Sequence, residues 1–345
     1  MHTLHSLTPL EKGAGFLPLR RYIALPLISS LKNCFAGKSH SKEGVPEMAQ
    51  AKNIRGGLLA KILTAVLLVW AAGLHAQGEV HIQPLAGSVY LITGPGGNVA
   101  ASIGEDGILL VDDKFEKVAP EIRRAVASIK SGPIRFILNT HWHHDHTEGN
   151  KVFGKESIIV AHENVRKRLM SPTRTDFGAR PALPPHAWPI ITFDESVNIY
   201  FNGEKIEIRH FDHAHTDGDA VIYFTKSNVV HLGDIFFNPM FPFVDLNNGG
   251  NAAHLAEVVD QIVATIPQGA RIIPGHGPVA TRQDLIRYRD MLKATTQLVK
   301  KAVEEGQSLE QIQQSDLLKD FASWGEGFIS TRTWIELLYR SLTKQ

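Results

Sequence analysis

The chain has 345 residues, 43% of them hydrophobic, enough to bury a substantial core in one large domain or two ordinary ones. Lys and Arg number 36 against 35 Asp and Glu, so the net charge is +1 and no basic stripe marks a nucleic-acid partner. A single cysteine, Cys34, excludes an internal disulfide, and with 17 histidines present any metal site must be built from imidazole and carboxylate.

The chain opens with a stretch that reads as targeting rather than fold. Lys52, Arg55 and Lys61 precede a short apolar run over residues 62–73, and Leu74-His75-Ala76 makes an imperfect small-residue cleavage site. This is the pattern of an export signal over residues 48–76, because so short an uncharged run spans a bilayer poorly. Translation is expected to start at Met48, with residues 1–47 a disordered extension ahead of it and the mature protein beginning at Gln77. Without Cys34 the mature chain suits a periplasmic or secreted location, with no stable membrane insertion after cleavage.

Residues 77–345 read as one domain. Strand signals over 88–93, 98–103 and 107–111 are separated by Gly94-Pro95-Gly96-Gly97 and Glu105-Asp106-Gly107, an opening β-meander. Val118, Ile122, Ala125, Val126 and Ile129 fall at helical spacing over 117–130. A strand over 134–139 then runs straight into the sequence HWHHDH. A strand over 157–161 and a helix over 162–170 follow. Five prolines interrupt residues 171–189, which are expected to form an irregular flap or substrate loop.

A second sheet comes next. Strands over 197–201 and 205–211 flank Asn202-Gly203, a type I′ hairpin signal, and 220–224 pairs with 229–232. A helix over 252–266, a strand over 271–273 and a long amphipathic helix over 281–305 lead to a capping box at Ser308 and Gln311, and residues 331–342 close helically. Two groups of strands, each followed by helices, imply an α/β fold with two packed sheets and helices outside.

The chemistry concentrates in His141, His143, Asp145 and His146. Imidazoles this close repel when protonated and need partners when buried, so a metal is the economical explanation. His141 and His143, two apart on extended backbone, face one way, while Asp145 and His146 turn toward a neighbouring point, which offers two adjacent metal positions. Two metals need further donors. His215 in AHTDGD, Asp234 in HLGD and His276 in PGHG each follow a strand, with glycine nearby to let the loop approach closely.

With HxHxDH followed by these three residues in this order, the chain resembles the metallo-β-lactamase-fold hydrolases over roughly residues 80–285. The resemblance implies a four-layer αββα sandwich with the site along one edge of the two sheets. It implies two Zn2+ per chain, one on His141, His143 and His215, the other on Asp145, His146 and His276, with Asp234 between them. The donors are all nitrogen or oxygen and would also accept iron or manganese. A water shared by two zinc ions ionises near neutral pH instead of at about 15.7, giving the attacking hydroxide, with Asp145 orienting it and moving its proton. The expected reaction is hydrolysis of an amide, ester, lactone or thioester of a small molecule, β-lactams included. The alternatives are a glyoxalase II-like thioesterase and a mononuclear iron dioxygenase of the same fold. Asp234 favours the broader acyl hydrolases, since cysteine-ligand β-lactamases would carry a cysteine near that position.

Several residues carry two readings. Asp113 and Asp219, with Asp112 as an equal alternative, are candidates for fixing ligand orientation or simply for forming turns. His213 either lines the pocket or is solvated, His210 and His231 fill sheet positions, and His162, His186 and His254 lie on loops or the surface. Phe236, Phe237, Phe241 and Phe243 form either an apolar rim to the site or aromatic core beneath a loop. Trp142 is read as packing. Substrate identity and oligomeric state stay open.

Overall fold

The computed structural model describes residues 79–175 and 178–343. The extension over 1–47, Cys34 and the export signal over 48–76 lie outside the described residues.

The opening meander forms as β1 (His81–Ala86), β2 (Val89–Thr93), β3 (Val99–Gly104) and β4 (Gly107–Val111), paired antiparallel in sequence order. Three strands then add in parallel, β5 (Ile134–Leu138), β6 (Ile158–His162) and β9 (Ile191–Phe193), completing a seven-stranded sheet. The second sheet has five strands: β10 (Ser196–Phe201), β11 (Glu204–His210), β12 (Ala220–Phe224), β13 (Val229–His231) and β14 (Arg271–Ile273). β10 to β13 are antiparallel, and Asn202-Gly203 turns the first pair with both residues at positive φ, as the type I′ signal requires. β14 joins β13 in parallel.

Three apolar clusters define four layers. Leu91, Leu109 and Val160 of the first sheet meet Ile206, Ile222 and Phe224 of the second in the central core. The outer face of the first sheet is covered by the helix Ala119–Ala127 through Ile122 and Val126. The outer face of the second sheet is covered by helices Leu255–Thr265, Arg282–Glu304 and Thr331–Thr343, with Tyr288, Leu292 and Trp334 fully buried. The result is the expected αββα sandwich. Both faces of each sheet are covered, which is why β4 reads as a continuous apolar run rather than an alternating one.

Two segments are more regular than their sequence suggests. β1 was not anticipated, because HIQPLA carries a proline and little apolar weight; it survives as an edge strand, where a missing N–H costs least. Within the proline-rich stretch, β7 (Thr173–Thr175) and β8 (Gly178–Arg180) form a hairpin, Pro185–Ala187 is a 3₁₀ turn, and β9 follows. Leu183 and Ala187 order that stretch by packing with Trp142, Val165 and Leu169 in a fourth apolar cluster. Among the described residues, no helix is long and apolar enough to cross a membrane.

The topology fixes where chemistry gathers. β4 pairs with β5 and β13 with β14 in parallel, and within three residues of their C-terminal ends stand Asp112, His141, Asp234 and His276. β11 ends just ahead of the loop that carries His215.

Candidate metal centre

All seven residues singled out in the sequence converge. His141, His143, His215 and Asp234 place one donor atom each within 4.8 Å of one another, and so do Asp145, His146 and His276. Asp234 stands between the two groups. Its Oδ2 lies 3.8 Å from His141 Nε2, 3.5 Å from His215 Nε2 and 3.5 Å from His276 Nε2, while Oδ1 lies 3.1 Å from His146 Nε2. Asp145 Oδ2 is 3.3 Å from His276 Nε2 and 3.6 Å from His146 Nε2. Of the two groups, the second faces solvent, with His276 29% and Asp145 20% exposed.

The outward nitrogens of the rings decide which way the inward ones face. His143 Nε2 lies 3.0 Å from Asp245 Oδ2, His146 Nδ1 lies 2.7 Å from Asp112 Oδ2, and His215 Nδ1 lies 2.8 Å from the Phe243 carbonyl. Carboxylates and carbonyls only accept, so these ring nitrogens carry the protons. Thr140 Oγ1 donates to Asp112 Oδ2 and therefore accepts from His141 Nδ1 at 3.0 Å. Four lone pairs are left pointing inward. Two of them, on His143 Nδ1 and His215 Nε2, face each other at 2.8 Å. His141 Nε2 and Asp234 Oδ1 are buried with no hydrogen-bond partner. Facing lone pairs and an orphaned carboxylate oxygen are costly unless a cation lies between them, so the donor set fits a metal.

Charge follows the same geometry. Burial penalises ionisation of Asp234, yet His146, His276 and His141 around it hold its carboxyl well below the usual range. Burial likewise opposes protonation of His276, but Asp234 and the bond to Asp145 raise it to about 9. His146 is raised well above its ordinary value, with Asp234, Asp145 and Asp112 outweighing burial. His141 and His215 shift the other way: burial keeps both neutral, His215 at about 4. His141 and His215 are thus in the neutral form a metal ligand needs, whereas His146 and His276 would release a proton on binding one.

The supporting residues resolve the open readings. Asp112, not Asp113, orients the ligands: its φ of 63° aims the carboxylate at both the Thr140 N–H, 2.7 Å away, and the His146 ring. Asp113 touches the site only through its N–H, which donates to the His146 carbonyl, and its carboxyl oxygens have no partner. Asp219 holds the His215 loop by accepting from the N–H groups of His215 and Thr216 and from Thr216 Oγ1. Asp245 is a support that the sequence does not announce: Asn247 and Asn248 read there as amide donors near the metal pair, and Asn248 Nδ2 donates to both oxygens of Asp245, which in turn holds His143. No spacing in the sequence announces that contact, since Asp245 stands 102 positions from His143.

His213 is 60% exposed and bonded to the Gly249 carbonyl, the solvated reading. His162 departs from its expected surface position: it is buried and stacks on His210 with ring centroids 3.7 Å apart. His231 is fully buried in β13, as expected. Phe236 and Phe241 are core, at 0% exposure, so the apolar-rim reading fails for them. Phe237 stacks on His276 at 5.1 Å and Phe243 packs against His143 and His215. Two glycines are required by close approach. A Cβ at Gly275 would lie 1.9 Å from Asp234 Oδ1, and one at Gly97 2.1 Å from His146 Cε1.

Two packed sheets with a seven-donor centre at one edge define a metallo-hydrolase, and the chain belongs to the metallo-beta-lactamase superfamily, which it matches over residues 82–287. It is 29% identical over 157 residues to the probable metallo-hydrolase YqgX of Bacillus subtilis, a match covering 43% of this chain and 72% of that one. It is 26% identical over 159 residues to a hydroxyacylglutathione hydrolase of Polaromonas, covering 44% of this chain and 52% of the relative. Among solved structures, the metallo-beta-lactamase from Pontibacter korlensis aligns with a TM-score of 0.55 at 14% identity, over 62% of this chain and 99% of that one. A double mutant of the sec-alkyl sulfatase PisA1 aligns with a TM-score of 0.56 at 14% identity, over 76% of this chain and 50% of that one. At such identities the structural likeness concerns the fold.

Proposed function

We propose that the protein is a dinuclear zinc hydrolase that cleaves an amide, ester, lactone or thioester bond of a small molecule in an exported location. The observation that carries this reading is the sharing of Asp234 between two complete donor groups, His141, His143 and His215 on one side and Asp145, His146 and His276 on the other. The completeness of the second group supports two cations over the single iron of a dioxygenase. A zinc pair supplies Lewis acidity and a water that ionises near neutral pH.

The chain supplies the rest. Asp145, on the solvent-facing side, is buried enough to disfavour ionisation, but His146 and the bond from His276 keep it a carboxylate. An ionised acceptor at Oδ2 would orient the attacking water and receive its proton. Phe237 and Phe243 wall the histidines with apolar surface, which strengthens charge interactions within the site. Among the four bond types, the thioester draws support from the likeness to a hydroxyacylglutathione hydrolase.

The test is a panel of nitrocefin, a homoserine lactone, lactoylglutathione and an aryl ester, assayed alongside metal analysis. Two zinc per chain with turnover of at least one of the four is the expected result. One iron per chain with oxygen consumption, or bound zinc with no turnover of any of the four, would contradict it.

A further inference from the structure

Trp142 separates two of the inward-facing histidines and is fully buried. Two guanidinium groups from different parts of the chain lie against its ring, Arg168 at 5.6 Å and Arg180 at 5.8 Å from the centroid. Arg180 comes from β8 of the hairpin. Its Nη1 donates to the Trp142 carbonyl and its Nη2 donates to Thr147 Oγ1 at 3.0 Å. That hydroxyl donates in turn toward the carbonyls of Trp142, at 3.2 Å, and His143, at 2.9 Å. The backbone on either side of the Trp142–His143 peptide is thus pinned from one direction, and His143 is held extended at ψ 150°.

Arg168 reaches the same histidine from the other direction. It sits in the helix Glu163–Leu169, pairs with Asp217 through Nε and Nη2, and donates from Nη1 to Asn248 Oδ1 at 2.7 Å. Asn248 donates to Asp245, and Asp245 accepts from His143 Nε2 at 3.0 Å. Every link in this chain is a hydrogen bond between named atoms, and it ends on the ring whose opposite nitrogen points at the candidate metal position. A planar, multiply bonded guanidinium loses little freedom per bond, which suits it to holding a ligand in place.

We propose that Arg180 and Arg168 are positioning residues that clamp His143, so that the hairpin and the helix Glu163–Leu169 set the affinity of the His141, His143 and His215 position for its metal. The inference rests on the dinuclear reading above. It goes further in making the two positions unequal: the clamp ends on His143, while the side chains of Asp145, His146 and His276 take no bond from it, and His146 meets it through its backbone N–H, which shares the His143 carbonyl at 3.1 Å. Ligand-supporting residues of this kind change metal affinity by about 10- to 100-fold.

The test is a Co2+ titration of the metal-stripped full chain followed by visible absorption, which reads the two positions separately. Arg180→Met keeps an apolar stem against Trp142 while removing the donors, and should weaken the three-histidine position by about tenfold or more with the other position changed far less. Arg168→Met should act on the same position. Because Arg180→Met removes a half-buried charge and can misfold, Thr147→Val tests the same carbonyl contacts while leaving the Arg180 bond to the Trp142 carbonyl in place; it removes the acceptor of Arg180 Nη2 and should reproduce the loss, while Thr147→Ser retains affinity. Arg209→Met, at an exposed arginine of β11, should leave both positions unchanged. A wild-type chain that binds no metal would defeat the dinuclear reading itself. A wild type that binds two, with equal loss at both positions or no loss in Thr147→Val, would overturn the clamp alone.

Discussion

Asp145→Asn is expected to lower kcat by about 10²- to 10⁴-fold at saturating zinc, the range associated with loss of a positioned proton acceptor. The substitution keeps the side chain's shape and an oxygen facing His276, but removes the charge. Asp145 is the acidic residue of the seven closest to solvent, with 20% of its side chain exposed, whereas Asp234 is enclosed by four imidazoles at 5% exposure. A water arriving at the centre therefore meets Asp145. Burial opposes ionisation of Asp145, but His146 and the His276 bond hold its carboxyl below the usual range, which suits a proton acceptor. Turnover under substrate saturation, with zinc content measured on the same sample, separates lost chemistry from lost metal. A variant that keeps both zinc ions and wild-type kcat would remove Asp145 from its role.

Chelation should produce the second large effect, on stability and activity together. The inward lone pairs of His143 and His215, 2.8 Å apart, and the partnerless His141 Nε2 and Asp234 Oδ1 are paid for in the folded state only if a cation joins them. A ligand at about 1,000 times its Kd contributes roughly 4 kcal/mol per site. For a domain of this size two such sites, about 8 kcal/mol together, correspond to a Tm drop of about 16–32 °C on complete metal removal. Activity should vanish with it and return on adding zinc. An unchanged Tm after verified stripping would show that the seven residues are satisfied without a metal.

The parts of this site that were legible are those written locally. HxHxDH places four donors on one loop, and His215, Asp234 and His276 each follow a short apolar strand. Two sheets with outer helices followed from strand and helix periodicity in β2 to β5 and in the helices after β12. What stayed hidden depends on contacts between distant residues. Asp112 and Asp113 are adjacent acidic residues after a strand, and only the positive φ at Asp112 decides which carboxylate reaches His146. The phenylalanines after Asp234 follow no period that separates core from rim, and they divide, with Phe236 and Phe241 in the core and Phe237 and Phe243 against the histidines. The proline-rich stretch has no periodicity, yet Leu183 and Ala187 order it against Trp142, which brings Arg180 under the ligand loop.

Anomalous diffraction from crystals of the zinc-loaded protein tests the central claim most directly. Two zinc peaks are predicted, one bounded by His141, His143 and His215, the other by Asp145, His146 and His276, with Asp234 reaching both. A single peak, or zinc bound away from these seven side chains, would contradict the dinuclear centre.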